Sequence, residues 1–186
     1  MEQGLRMRQA TAADLSAVAG LRARVGWGAG GLEGSFAAAA AGRQAIFLAE
    51  LDAVAVGTVT ANFVAPGAGY PRSGHISDLV VAPRWRRRGI GSELLDAAEG
   101  AVRHHGLTAV TLDVDAGNVE ALRLYLGRGY QRLRPARFPW GPGHTLIKLL
   151  TAAEMQQAQA SQAWWRALWP LRLRHEVTRR GGALPR

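Results

Sequence analysis

The 186 residues include no cysteine. That absence excludes disulfides, thiolate zinc sites and a cysteine acyl-enzyme. It fits a reducing, cytoplasmic setting, and the opening "MEQGLRMRQA" lacks the apolar run of a signal peptide. No later stretch approaches a membrane span, so no stable membrane insertion is expected. Lysine is nearly missing as well, with Lys148 alone, so the formal charge of +9 belongs to arginine. There is no internal repeat. The five histidines have no spacing that suits a metal site, so no metal is expected and none of them reads as catalytic.

What is present suits one globular domain, with 48% apolar and 20% charged residues. The basic charge is uneven. Residues 1–150 hold 17 basic and 12 acidic side chains, a net of +5, and residues 151–186 hold six and two, a net of +4. We therefore divide the chain into a domain over 1–150 and a basic C-terminal extension over 151–186. The extension is helical in propensity through "AAEMQQAQASQAWWRALW", stops at Pro170 and frays after it. Its Trp164, Trp165, Leu168 and Trp169 would dock on the body or on a second subunit, which would make a homodimer. A membrane-surface helix and a lid over the acceptor site are the alternatives.

Along the domain, Leu5–Gln9 reads as a strand, and Thr11 as the N-cap of a helix carrying Leu15, Val18, Ala19 and Leu21. Glycines in "VGWGAGG" break that helix, and a second is expected over Ser35–Ala41. "QAIFLAELDAVAVGTVTANFV" reads as a hairpin turning at Leu51–Asp52, and "GHISDLVVAP" as another strand ended by proline. A helix with Ile90, Leu94, Leu95, Ala98 and Val102 on one side follows, its other side acidic at Glu93, Asp96 and Glu99. A strand in "LTAVTLDVDAGN", a helix in "NVEALRLYLGRGY" and short strands near Tyr130–Leu133 and Thr145–Leu150 complete it. This order argues a mixed α/β (α+β) sheet.

"VVAPRWRRRGIGSELL" carries the chemistry. A strand ends, glycines stand two apart, and a helix starts. Glycine lets backbone N–H groups converge on a ligand, and the helix N-terminus adds unpaired donors, so the site suits phosphate. It is not a Walker loop, because no Gly-Lys-Ser/Thr follows, and it lacks the third spaced glycine of the dinucleotide fingerprint. The arginines alone would fit a nucleic-acid patch, but they cluster at one helix start rather than along an element, so no nucleic acid is expected.

Arg86-Arg87-Arg88-Gly89-Ile90-Gly91 resembles the pyrophosphate motif of the GNAT superfamily of N-acetyltransferases, Gln/Arg-x-x-Gly-x-Gly/Ala. Asp78–Pro83 resembles the strand before it, and "LDVDAGNVEALRLYLGRGY" the family's second block. The resemblance implies a splayed central sheet of about seven strands flanked by about four helices, with acetyl-CoA in the gap as acyl donor. It also implies roles. Leu79, Val80 and Val81 would line the pantetheine arm, the Val81 N–H facing the thioester carbonyl. Arg86, Arg87, Arg88, Gly89, Ile90, Gly91 and Ser92 would wrap the pyrophosphate. Asn118 would lie near the pantetheine, a role compatible with capping a helix, and Tyr125 would protonate the departing thiolate with an ordinary pKa near ~10.

The activity so implied is acetyl transfer to a primary amine by direct attack in a ternary complex. Asp113 is favoured as general base, Asp78 next, with an ordered water chain as the third option, and Asp115 reads as a surface charge. Trp27, Phe36, Phe138 and Trp140 would make an aromatic acceptor cleft with no acidic lining for a polycationic amine. An α-amine at ~7.7–8.0 deprotonates more cheaply than a lysine near ~10.4, so an aspartate base suits it better. Small acidic metabolites stay equally open. A non-catalytic acyl-CoA sensor or partner-binding module is the alternative from another class, and a nucleic-acid binder ranks last.

Overall fold

Asp52 and Ala53, at φ 47° and 62°, turn the chain between two long strands. Two successive positive φ values are what a two-residue hairpin loop requires. The turn falls one residue beyond its expected place. In the computed structural model, residues 4–64, 70–139 and 141–150 are described. The C-terminal extension and Trp140 lie outside them, as does any test of the boundary at 150.

In chain order the elements are β1 (Arg6–Gln9), α1 (Leu15–Ala23), α2 (Leu32–Ala40), β2 (Gln44–Leu51), β3 (Val54–Asn62) and β4 (Ser73–Val81). Then come α3 (Ile90–His104), β5 (Ala109–Asp115), α4 (Val119–Gly127), β6 (Gln131–Phe138) and β7 (Gly141–Leu149). The seven strands form one mixed sheet in the order β1-β2-β3-β4-β5-β7-β6. Only β4 and β5 pair in parallel among the described residues. This is the mixed α/β architecture expected. No helix among the described residues is long and apolar enough to cross a membrane.

The unbroken apolar run of β2 follows from its place. Phe47 and Ala49 point into the core beneath α3 and α4, while Ile46 and Leu48 point into a second core beneath α1 and α2. A strand covered on both faces has no polar side to present. Burying each large side chain there contributes about 1.5–3 kcal/mol. Helix α3 lies so close to the sheet that a Cβ on Gly74 would stand 2.5 Å from a Val102 methyl.

Three expectations are corrected. α2 begins at Leu32, three residues early, because Gly31 (φ 80°) turns the chain into it. β6 and β7 extend to Phe138 and back to Gly141, well beyond the short strands expected near Tyr130–Leu133 and Thr145–Leu150. Pro135 is tolerated because β6 is the sheet edge. Glu99 is not on a solvated face. It is 1% exposed, four residues after Leu95 and three before Val102, which places it on the apolar side of α3. There it accepts from Lys148 Nζ (2.8 Å), Tyr130 Oη (3.1 Å) and Arg103 (3.3 Å).

One irregularity shapes the central cleft. β4 and β5 pair only over Ser73–Ile76 and Ala109–Leu112. Beyond that, Asp78 adopts φ 54°, and the register of β4 against β3 slips between Thr58 and Thr60. Such a bulge bends its strand and sharpens the local twist. The outer half of β4 therefore follows β3, β5 stays with β7, and the sheet forks.

Candidate active site

The fork opens a cavity of about 1140 Å³. β4 forms one wall from His75 to Val81, β5 and α4 form the other, and the start of α3 closes one end. Of the residues singled out in the sequence, Asp78, Leu79, Val80, Val81, Arg86, Arg87, Gly89, Ile90, Gly91, Ser92, Asp113, Asn118 and Tyr125 all line it. Arg88 does not. Its guanidinium lies 4.7 Å from the Trp85 ring centroid, with Arg84 at 5.3 Å from the same ring.

At the α3 end the backbone is left with unspent donors. The amides of Trp85 and Arg86 return to the carbonyls of Ala82 and Pro83, and the next amide with a backbone partner is that of Ser92, bonded to Gly89 O at 2.8 Å. The five between, 87 to 91, take no backbone carbonyl among the described residues. Arg87 and Gly89 sit at φ 63° and 82° with Arg88 outside that region between them. An alternation of this kind turns successive N–H groups into one concavity, and the helix dipole adds to it. A side chain at Gly89 would meet no atom within 4 Å but would be strained by that φ. This end of the cleft can hold an anion.

Along β4, the Ala82 amide donates to Val56 O at 2.9 Å, on the β3 side. Successive amides of a strand point to opposite edges, so the Val81 N–H faces the fork. Across the gap, Asn118 caps α4 by accepting from the Ala121 amide at 3.1 Å. Tyr125 is 7% exposed and meets Tyr130 edge-on with ring centroids 5.7 Å apart. Burial pushes its phenol up to about 12, well above the ordinary value expected from the sequence. It therefore stays a neutral O–H donor.

Beyond the crotch of the fork lies a polar patch. Asp113 accepts from Thr145 Oγ1 at 2.8 Å, and its other oxygen is 4.0 Å from His75 Nε2. Burial lowers the His75 pKa, and the Asp113 charge opposes that shift. Asp78 stands 3.9 Å from Arg22 Nη1, and the Arg22 Nε is buried without a hydrogen-bond partner among the described residues. Asp115, also on the cavity wall, accepts from the Gly117 amide at 2.7 Å and shapes that turn. A second cavity of about 350 Å³ adjoins through Asp113, lined by Thr145, Arg134, Ala136 and Phe138.

The expected aromatic cleft is only partly assembled. Trp27 lines the large cavity and Phe138 the small one. Phe36 is instead buried beneath α2 with Ile46 and Leu48, because it falls on the inner face of that helix. Sequence reasoning missed Arg22 and His75. The signal for His75 was a lone polar ring in an apolar strand, but its partners belong to β5. Among the described residues no group of three or more His, Asp or Glu side chains could hold a metal ion.

Comparison with known proteins places this geometry. A curated mycothiol acetyltransferase of Stackebrandtia nassauensis is 41% identical over 66 residues, 36% of this chain and 22% of that one. The chain thus spans about a fifth of that relative's length. Among solved structures, a ribosomal-protein-alanine N-acetyltransferase of Brucella melitensis superposes with a TM-score of 0.66. It is 22% identical, over 78% of this chain and 100% of that one. The yncA protein of Salmonella typhimurium, solved with its cofactor acetyl-CoA, gives 0.66 at 17% identity over 80% and 95%. At those identities the likeness is one of fold. The sequence model of the Acetyltransferase (GNAT) family matches residues 22–130, more than half of the chain, and so includes both walls of the fork and the turn before α3. The chain belongs to the GNAT family of acetyltransferases.

Proposed function

We propose that the protein transfers an acetyl group from acetyl-CoA to a primary amine, by direct attack while both are bound. The observation that carries this is the pairing of five unspent amides at the start of α3 with a free strand edge leading away from them. That combination fits a long ligand with a phosphorylated end. Bound there, acetyl-CoA supplies the activated acetyl group as a thioester.

The chain's own residues do the rest. The amides of 87 to 91 hold the pyrophosphate, with Arg86 and Arg87 as exposed counter-charges. The Arg86 Nε–H donates to Val81 O at 3.2 Å and ties the turn to the strand. Leu79, Val80 and Val81 form the wall for the pantetheine arm, opposite Asn118. The Val81 N–H points where negative charge develops on a carbonyl oxygen, a fixed donor that needs no reorganisation. Tyr125, with its pKa near 12, acts at the leaving sulfur as a hydrogen-bond donor rather than as a strong acid. The acidic groups offered to the incoming amine are Asp113, on the crotch side, and Asp78, at the bulge.

An α-amine acceptor suits this cleft best, since it is the cheapest amine to deprotonate near neutral pH. The Brucella relative is named for acetylating an alanine of a ribosomal protein, which is in keeping with an amine acceptor on a peptide. The test has two arms. Isothermal calorimetry with acetyl-CoA should give binding that Arg87→Ala with Gly89→Trp abolishes, and binding that survives the double change counts against the site. Thiol release should then appear with amines chosen by thermal shift. Bound acetyl-CoA with no accepted amine in a broad panel would support a sensor instead.

A further inference from the structure

The pattern of the sequence gives His75 no partner, whereas the register of β4 against β5 gives it two. His75 stands opposite Thr111, one pair before the strands part, and its ring lines the cavity. Its Nδ1 is 3.1 Å from Thr111 Oγ1, and that hydroxyl donates its single proton to Gly74 O at 3.2 Å. With its proton on Gly74 O the hydroxyl is an acceptor towards His75, an arrangement that takes the ring proton on Nδ1. In the neutral ring the lone pair is then on Nε2, which faces Asp113 Oδ2 across 4.0 Å. That gap is too long for a direct hydrogen bond. Thr145 pins the other Asp113 oxygen at 2.8 Å, so ring and carboxylate are both held in place.

We infer that His75 Nε2 accepts the proton of the acceptor ammonium, and that Asp113 positions and neutralises the imidazolium so formed. The inference rests on the acyl-transfer reading and assigns its base. An ammonium nitrogen at ~2.8 Å from both Nε2 and Oδ2 would subtend about a right angle between them, within reach of two of its N–H bonds. One N–H bond breaks, its proton goes to the Nε2 lone pair, and the nitrogen keeps the electron pair with which it attacks. The imidazolium returns its proton to solvent in the open cleft.

The chemistry favours an imidazole here. Each unit of pKa mismatch costs a factor of ten in a proton transfer, and an ordinary imidazole at ~6.5 lies some two to three units nearer an amine than an ordinary carboxylate at ~3.9. Burial lowers the His75 pKa, which favours the unprotonated ring, and the Asp113 charge opposes that shift. The charged groups that share the cavity are Asp78 on the same strand, Asp115 on β5, Arg22 on α1, and Arg86 and Arg87 before α3. Glu120 and Arg123 line it from α4. Of all these charges, Asp113 is the one within ion-pair distance of the ring.

The test is a nitrogen NMR titration of the full chain with ¹⁵N-labelled histidine, His75 being assigned through His75→Gln. The expected neutral form has its proton on Nδ1, and Asp113→Asn moves the midpoint to lower pH. With acetyl-CoA and an alanyl tripeptide amide as acceptor, kcat/KM should fall on the acid side along the same midpoint, in both proteins. His75→Gln should lose about 100-fold in kcat with KM for acetyl-CoA unchanged. A neutral tautomer protonated on Nε2 would overturn the assignment, whether or not the peptide is accepted. So would a His75→Gln enzyme within twofold of wild type while Asp113→Asn is inactive, which would make Asp113 the base. Absence of acetyl-CoA binding to the wild-type chain in calorimetry would instead defeat the acyl-transfer reading itself.

Discussion

Two clusters of cations in this molecule have opposite fates. Around Glu99, the cations of Lys148, Arg103 and Arg128 converge on one carboxylate that is 1% exposed. At the start of α3, Arg86, Arg87 and Arg88 stand in solvent, and the nearest carboxylate to Arg87 is Glu120 at 3.8 Å with both side chains well exposed. The first cluster is consumed internally and fastens α3 to the β7 side of the sheet. In the second, Arg86 and Arg87 line the cavity, above backbone amides that take no carbonyl among the described residues, while Arg88 stacks on Trp85. Local arginine content does not separate the two, whereas the location of the counter-charge does.

The largest expected effect breaks the internal cluster. Glu99→Ala removes a buried carboxylate from three half-buried cations and should cost about 3 kcal/mol, read as a fall in thermal midpoint of roughly 6–12 °C. A loss no larger than that of a surface substitution would show the cluster to be solvated. Replacing Tyr125 by Phe tests the ligand side. Turnover should fall about 100-fold, roughly 2.7 kcal/mol in the barrier, with affinity for acetyl-CoA within twofold of wild type.

Gly89→Ala is smaller and more local. The positive φ penalises a Cβ by about 1–2 kcal/mol, and acetyl-CoA affinity should fall about tenfold if the turn distorts to relieve it. Equal losses from Arg88→Ala would upset the picture, because Arg88 stacks on Trp85 rather than facing the cleft. The smallest effect concerns a third ionic group, where Arg8 binds Asp14 at 2.6 Å and Glu50 at 2.5 Å. The Arg8 guanidinium, with help from Thr11, holds Asp14 at about 2 against an ordinary 3.8. A depressed carboxyl stabilises the fold above its unfolded value and loses that contribution as pH falls from near 4 through 2. Solvent screens the pair, so Asp14→Asn should lower the midpoint by about 2–4 °C at pH 7, and by nearly nothing at pH 2.

Much of this was legible in the chain. The Arg86–Gly91 turn was recognisable because a strand, two spaced glycines and a helix start are local features, each governed by neighbours in sequence. Tyr125 and Asn118 came from a motif of the same local kind. Glu99 was misread although its spacing from Leu95 and Val102 pointed inward, because a charge is priced as exposed until its partners are known. Lys148 and Tyr130, 49 and 31 residues away, supply those partners. Phe36 was misplaced because an alanine-rich helix has little periodicity to mark its inner face.

The sequence by itself determined the order of elements, the apolar strand covered on both sides and the turn with its unspent amides, since these depend on propensity, pattern and φ. Only the tertiary structure decided the fork, because the bulge at Asp78 acts through pairing with β3 and through its absence with β5. The same register put His75 beside Thr111 and Asp113. Contacts between strands far apart in the chain carry no signature within either strand, so this pairing became visible only in the folded sheet.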